Sequence, residues 1–381
     1  MSSKITFIGD VMLGRMIGSK YDKQPYNIVA QELQDVCKSS DLTIANLESP
    51  VTVTKDSEAD HLQFVGSEPI LKEFSFVNLF TLANNHINDA AETGMDETIE
   101  LLERNGFKHN GLFRKSNEYQ PYIYNSGNEP IAIVTVTDMM NIPFDESNKW
   151  QCLRVGENRV NKIISQLKAK GFFVIVYAHI GALFTRFPNP ATREFLHGYI
   201  ESGAGCVVTA HSHCLGGMET YKGVPVFHSL GDFVMDGNSF RRRRSAILTL
   251  NIEGCQVRNW FLTPAEINDN YETVSPSKKT AERMLKDFGA VSMKIEKNGN
   301  KYKSFYKWQY KKEMIMHTFS TLHYLIHTKG IFGMIRLVFV RFEEVFRMFK
   351  WVSTDRSNVQ RDDDAILPNR KKFKQDELFK N

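Results

Sequence analysis

The sequence predicts a layered α/β domain over residues 1–265, of the α/β or α/β/β/α kind, followed by an α-helical C-terminal extension. Three observations predict it. Short apolar runs of strand length alternate with stretches of helical periodicity. Polar, chemistry-bearing residues recur directly after those apolar runs, where open α/β sheets keep their sites. The 381 residues, 42% hydrophobic and 24% charged, supply ample material for a core.

Residues 5–8 read as a buried strand closing on Gly9-Asp10. Ile28, Val29, Leu33 and Val36 give residues 26–38 the spacing of a helix, and residues 42–45 form the next strand, ending in Asn46-Leu47-Glu48. After a polar loop with His61, the strand at 76–82 delivers Asn84-Asn85-His86 and Asp89 to its carboxyl end. A helix from about residue 91 is stopped by Asn105-Gly106. Residues 122–124 and 131–136 flank Gly127-Asn128 as a hairpin. A helix at 157–170 precedes a strand running into Ala178-His179, and a helix at 191–201 precedes one running into Ala210-His211-Ser212-His213. Residues 216–233 alternate turns with short β runs, and 246–252 pairs with 255–262 through Glu253-Gly254.

Residues 264–300 are polar and mixed. Ile315, Phe319, Leu322 and Ile326, then Phe332, Ile335, Phe339, Phe342, Phe346 and Phe349, trace the stripe of amphipathic helices across a break at Thr328-Lys329-Gly330. The expected organisation is a body at 1–265, a basic helical extension at 266–352 and a disordered, charged tail at 353–381. Charge follows the same division. Residues 301–381 hold 17 Lys/Arg against 9 Asp/Glu, which leaves the first 300 residues about four units acidic.

Five cysteines without CxxC spacing exclude a disulfide scaffold and a zinc-thiolate site. No apolar leader segment with a small-residue cleavage site follows Lys4, and the longest apolar run, 330–340, is broken by Arg336 and too short to span a bilayer. The expectation is a cytoplasmic protein.

Asp10, Glu48, Asn85, His86, His179, His211 and His213 all follow buried strands. Alone, each is more often structural; together, oxygen and imidazole donors without thiolate suit Mn, Fe or Zn in a mono- or dinuclear site.

Gly9-Asp10-Val11-Met12-Leu13-Gly14-Arg15, Asn46-Leu47-Glu48-Ser49-Pro50, Ala83-Asn84-Asn85-His86 with Asp89, His211-Ser212-His213 and Ser229-Leu230-Gly231-Asp232-Phe233 stand in the order of a known family's blocks. Over about residues 4–262 the chain resembles the CapA / poly-gamma-glutamate capsule biosynthesis family, a branch of the calcineurin-like metallophosphoesterases. The resemblance implies a four-layer α/β/β/α metallophosphoesterase-like sandwich with two divalent metal ions (Mn, Fe or Zn) at the sheet edge. By position, Asp10, Glu48 and His213 would hold one ion and Glu48, Asn85, His179 and His211 the other, with Glu48 bridging. Water activated by the ions would be the nucleophile at neutral pH. His86 would protonate the leaving group with Asp89 orienting it, the alternative for Asp89 being an N-cap of the following helix.

Departures from the family pattern are visible. Asp10-Val11-Met12 replaces the Asp-x-His block of the phosphoesterases, as is usual in the capsule branch, Leu183 stands where that branch often has a glutamate, and Asp232 replaces a usual Asn as a further ligand or a turn residue. Arg15 is the best-placed anion contact. Arg241 and Arg242, in a run of four arginines ending at Arg244, either grip a phosphate or carboxylate or belong to a solvated loop or lipid contact. Cys214 reads as packing. The C-terminal stripe docks on the body or on a second copy, making a homo-oligomer, or else meets the inner face of the membrane through 315–350, where Arg336, Arg341, Arg347 and Lys350 flank it. Relatives often carry an N-terminal membrane anchor, and none is expected here.

The functional expectation is a dinuclear metal-dependent hydrolase, acting on phosphate ester or related anionic small-molecule or polymer bonds in capsule or cell-surface polymer biosynthesis. Amide chemistry on a glutamate polymer stays open. The alternative is a non-hydrolytic accessory subunit of a poly-gamma-glutamate or polysaccharide synthesis complex. Nucleic acid is disfavoured as a partner, because the body is acidic and the basic residues sit apart.

Overall fold

In a computed structural model, residues 2–53, 64–126, 129–138, 140–142, 144 and 147–340 are described. His61, the side chains of Phe332, Arg336 and Phe339, and Arg341, Phe342, Phe346, Arg347, Phe349, Lys350 and the tail at 353–381 lie outside them.

The chain runs β1 (Ser3–Val11), α1 (Arg15–Lys23), α2 (Gln31–Lys38), β2 (Leu42–Leu47), β3 (Val51–Thr52), β4 (Gly66–Ser67), β5 (Leu79–Thr81), α3 (Ala91–Arg104), β6 (Lys108–Asn110) and β7 (Leu112–Arg114). It continues β8 (Tyr122–Ser126), β9 (Glu129–Thr137), β10 (Trp150–Cys152), α4 (Asn158–Ala169), β11 (Phe173–His179), α5 (Pro190–Glu201), β12 (Cys206–Ala210), β13 (Met218–Tyr221), β14 (Val224–Phe227) and β15 (Asp232–Val234). β16 (Arg244–Ile252), β17 (Val257–Ile267), β18 (Thr273–Val274), α6 (Lys278–Lys297) and α7 (Tyr302–Val340) complete it.

Two mixed sheets form. The first has the order β18-β17-β16-β1-β2-β5-β6, with β15 also paired to β1. The second has the order β13-β14-β12-β11-β9-β8. Within them β1, β2, β5 and β6, and β9, β11, β12 and β14, run parallel, so their carboxyl ends gather at one edge.

Period-two alternation sorts side chains into layers. On β11, Phe173, Ile175 and Tyr177 face the first sheet while Val174, Val176 and Ala178 face α4 and α5. On β1 and β2, Ile5, Phe7, Leu42 and Ile44 fill the same inter-sheet core, and Phe7 stacks on Tyr177 with ring centroids 5.8 Å apart. Burying each such aromatic ring contributes on the order of 2–3 kcal/mol. A separate core lies between the first sheet and α1, α2 and α3. The four layers expected from the resemblance are therefore present as helix, sheet, sheet, helix.

Several elements differ from the sequence reading. Helix α2 starts only at Gln31, because Ile28 and Ala30 exchange main-chain hydrogen bonds with Thr273 and so extend the chain there. The stretch read as polar contains α6, whose Ser277 caps it by accepting from the Thr280 amide at 3.3 Å and whose Met284, Phe288, Val291 and Ile295 are buried against the body. Helix α7 breaks at Gly330, at a φ of 68°, as the Thr-Lys-Gly punctuation indicates. Its docked face is not the expected stripe. Tyr302, Tyr306, Gln309, Glu313, His317 and Tyr324 are buried, whereas Ile315, Phe319 and Ile326 are 50%, 68% and 41% exposed. Among the described residues no helix is long and apolar enough to cross a membrane.

Candidate metal centre

The inter-sheet face turns polar at the carboxyl edge. Asn46 continues the inward row of Leu42 and Ile44, and His179 that of Phe173, Ile175 and Tyr177. In register across the first sheet, Asp232, Asp10, Asn46 and Thr81 form one row. Setting Asp10 and Asp232 side by side on neighbouring strands is unfavourable unless a positive charge sits between them. Gly9 lets β1 and β15 approach this closely, since a Cβ there would collide with the Gly231 carbonyl oxygen.

Two donor groups converge. In one, His179 Nε2 lies 2.7 Å from Asn85 Oδ1, 3.1 Å from His211 Nδ1 and 3.4 Å from Glu48 Oε1. In the other, His213 Nδ1 lies 2.7 Å from Asp232 Oδ1 and 3.7 Å from Asp10 Oδ2. Glu48 Oε1 stands between them, 3.9 Å from His213 Nε2. Glu48 with His179 and His211, and Asp10 with His213 and Asp232, are each a buried set able to hold a metal ion. All six expected donors are thus brought together, and Asp232 joins them.

The fit to a cation rests on unsatisfied chemistry. Both Glu48 oxygens are buried without a hydrogen-bond donor among the described residues. His179 Nε2 carries at most one proton, yet three lone-pair-bearing atoms crowd it. Donor atoms about 2.1 Å from a shared ion sit roughly 3.0–3.4 Å apart, and the contacts of His179 Nε2 with His211 Nδ1 and Glu48 Oε1, at 3.1 and 3.4 Å, have that spacing. Electrostatics agree. Burial, then neighbouring Asp10 and Asp232, push the Glu48 carboxyl well above its usual range. Burial also raises Asp10 and Asp232 to about 7 and holds His179 and His213 well below the usual imidazole value. Neutral imidazoles and carboxylates short of counter-charge are what a cation completes.

The backbone aims these groups. His211 and His213 have φ of 96° and 56°, left-handed values that cost about 1–3 kcal/mol each and let one tight turn point both imidazoles inward. The Asn46 amide donates to Asp10 Oδ1 at 2.8 Å and lies 3.2 Å from His179 Nδ1, fixing one member of each group. Asn84 donates to the Asn46 side chain and the Leu47 carbonyl, tying the loop after β5 to β2. Sequence reasoning assigned Asn46 no role, although its place two residues beyond Ile44 puts it on the inner face.

Beside Asn85, His86 Nδ1 is 2.6 Å from Asp89 Oδ2 and its ring stacks on Phe64 at 3.7 Å. Asn141 Nδ2 lies 3.0 Å from His86 Nε2, and Asn141 Oδ1 accepts from Asn85 at 3.0 Å. The N-cap alternative for Asp89 does not hold. Ala90 occupies the cap of α3 without a side-chain bond, and the Asp89 carboxylate accepts from the Phe64 amide at 2.7 Å.

The arginine run is not a solvated loop, and its members divide. Arg241 donates to the Glu313 carboxylate and to the Glu313 carbonyl, so it is committed to α7 and turned from the donor groups. Arg243 is buried, donating to the Gly237 and Asn268 carbonyls and the Tyr324 hydroxyl. Arg244 opens β16. Only Arg242 reaches the centre, donating to Asp232 Oδ2 at 3.2 Å over the Phe184 ring. Arg15 pairs with Asp236 at 2.9 Å over the Phe64 ring and is one-third exposed. Each arginine thus lies on an aromatic ring whose other neighbour is a histidine, His86 for Phe64 and His317 for Phe184. Cys214 is buried and its thiol raised to about 11 by burial, as packing requires.

The sequence profile of the bacterial capsule synthesis protein PGA_cap family matches residues 4–237. The chain belongs to that family. Among similar proteins, the PGA biosynthesis protein CapA of Bacillus subtilis (strain 168) is 29% identical over 282 residues, 72% of this chain and 73% of the relative. The capsule biosynthesis protein CapA of Bacillus anthracis is 25% identical over 263 residues, 65% of this chain and 63% of that protein, just under two thirds of its length. Among solved structures, a putative 5'-nucleotidase from Staphylococcus aureus in complex with alpha-ketoglutarate aligns at 11% identity and a TM-score of 0.47, over 76% of this chain and 58% of the other. A 5'-nucleotidase from Candida albicans SC5314 aligns at 9% identity and a TM-score of 0.40, over 74% and 57%.

Proposed function

We propose that this PGA_cap family member is a metal-dependent hydrolase with a dinuclear centre, cleaving a phosphate ester or related anionic bond in capsule or cell-surface polymer biosynthesis. The observation that carries the reading is the orphaned Glu48 carboxylate between two buried donor groups, beside an oriented His86–Asp89 pair. Asp10, His213 and Asp232 would hold one divalent ion and Asn85, His179 and His211 the other, with Glu48 shared. Oxygen and imidazole donors without thiolate suit Mn, Fe or Zn. Two such ions supply Lewis-acid charge and activate water near neutral pH.

The chain's own residues do the rest. Asp89 fixes the proton on His86 Nδ1, so Nε2 faces Asn141 and, in the protonated ring, gives its proton to the departing oxygen. Asn46 holds Asp10 and His179 in place. Arg242 and Arg15, backed by Phe184 and Phe64, bind the substrate's anionic groups. Metal analysis of the purified protein, joined to a screen of phosphomonoester, phosphodiester and peptide substrates, tests the reading. About two ions per chain and turnover of a phosphate ester are expected. Protein without bound transition metal that stays inactive on adding Mn overturns it in favour of an accessory role.

A further inference from the structure

Helix α7 has two faces of different chemistry. The inner one is docked: Glu313, fully buried, accepts from Arg186 and Arg241, while His317 stacks on Phe184 with ring centroids 4.2 Å apart. The outer one carries Trp308, Ile315, Met316, Phe319 and Ile326, 63%, 50%, 40%, 68% and 41% exposed, and beyond the Gly330 break Ile331 and Ile335 at 55% and 41%. Trp308, Ile315, Phe319, Leu322 and Ile326 recur at steps of seven, four, three and four, one continuous helical stripe.

Around that stripe Lys303, Lys307, Lys311, Lys312 and Lys329 are exposed, and Lys312 lies over the Trp308 ring. The only acidic residue between 302 and 340 is Glu313, which is spent on the inner face. An apolar stripe bordered by lysines and free of carboxylates is the surface that lies in the plane of an anionic bilayer. A second copy of the same face fits worse, since pairing would bring the lysines of both copies together while the one carboxylate of residues 302–340 stays on the inner face. Over its described residues the helix is not long and apolar enough to span.

We propose that the outer face of α7 is an interfacial membrane-binding surface that takes an anionic lipid bilayer, with Phe319 and Ile315 entering the acyl boundary and the lysines meeting headgroup phosphates. The proposal does not depend on the metal centre. Flotation of the full chain with vesicles of phosphatidylglycerol and phosphatidylcholine, against phosphatidylcholine alone, tests it. Binding is expected to the anionic vesicles, weakening as salt rises. Exchanging Lys303, Lys311 and Lys312 for Gln is expected to weaken it on the order of a hundredfold. The double variant Ile315→Glu, Phe319→Glu should abolish binding with melting temperature and metal content unchanged, because both side chains are exposed. Three results overturn the proposal: no flotation with anionic vesicles, equal flotation with neutral ones, or flotation unaffected by the double variant. Light scattering that shows a dimer which the double variant converts to monomer, without vesicle binding, assigns the face to self-association instead.

Discussion

At Glu48, two buried carboxylate oxygens lack a hydrogen-bond donor among the described residues, an arrangement that costs several kcal/mol once the group ionises unless a cation is close. Glu48→Gln keeps the volume and removes the charge, so equilibrium dialysis with metal analysis should show both ions bound at least about tenfold more weakly. Asn46→Ala should weaken binding about 10- to 100-fold without touching a donor atom, because Asn46 orients one member of each group. His86→Asn separates binding from chemistry. Metal content should stay at the wild-type level, while turnover of a phosphoester substrate falls about 10²- to 10⁴-fold.

The strands and helices decide whether these side chains meet at all. Gly9→Ala would push β1 away from β15 and part Asp10 from Asp232; loss of metal binding together with a lowered melting temperature is the expected result. Helix α7 fixes the walls. Glu313→Leu leaves Arg186 and Arg241 without their carboxylate and should cost about 3 kcal/mol in urea unfolding. Much of this was legible in sequence: alternation of strand and helix gave a layered α/β domain, the polar residues after strands marked the candidate donors, and the family resemblance implied the two-sheet sandwich and the ligand set. What escaped has physical reasons. Helix α1 holds nine residues, of which only Ile17, Gly18 and Tyr21 are buried, too few for a periodic signal. Helix α6 buries Met284, Phe288, Val291 and Ile295 at helical spacing, yet charged neighbours masked the stripe. The docked face of α7 is polar and aromatic, chosen by arginines at 186 and 241, and no local pattern reports a partner so far along the chain.

On the scale of the whole molecule, the centre couples fold stability to metal and pH. Asp10 and Asp232 titrate at about 7 in the folded protein against 3.8 for the unperturbed group, so the metal-free fold keeps protons that the unfolded chain has released. Their contribution therefore disfavours the metal-free fold progressively as pH rises from about 4 to about 7. His179 and His213 are depressed and act the other way, losing stability as pH falls below about 6.5. Cation binding must displace the carboxyl protons, so the gain in melting temperature on adding Mn or Zn should be larger at pH 8 than at pH 5.5. A gain that does not depend on pH would contradict this assignment of charge. Saturation at about a hundred times Kd corresponds to about 2.7 kcal/mol.

The Glu313 anchor also orders events in time. Every donor of the centre, from Asp10 to Asp232, leaves the ribosome before it, and the anchor follows Arg186 by 127 residues and Arg241 by 72. A nascent chain thus carries a full set of ligands before the residue that clamps their surrounding loops. Helix α7 therefore clamps the loops of Arg186 and Arg241 only after the ligands themselves have been made, and among the described residues it gives the centre no donor.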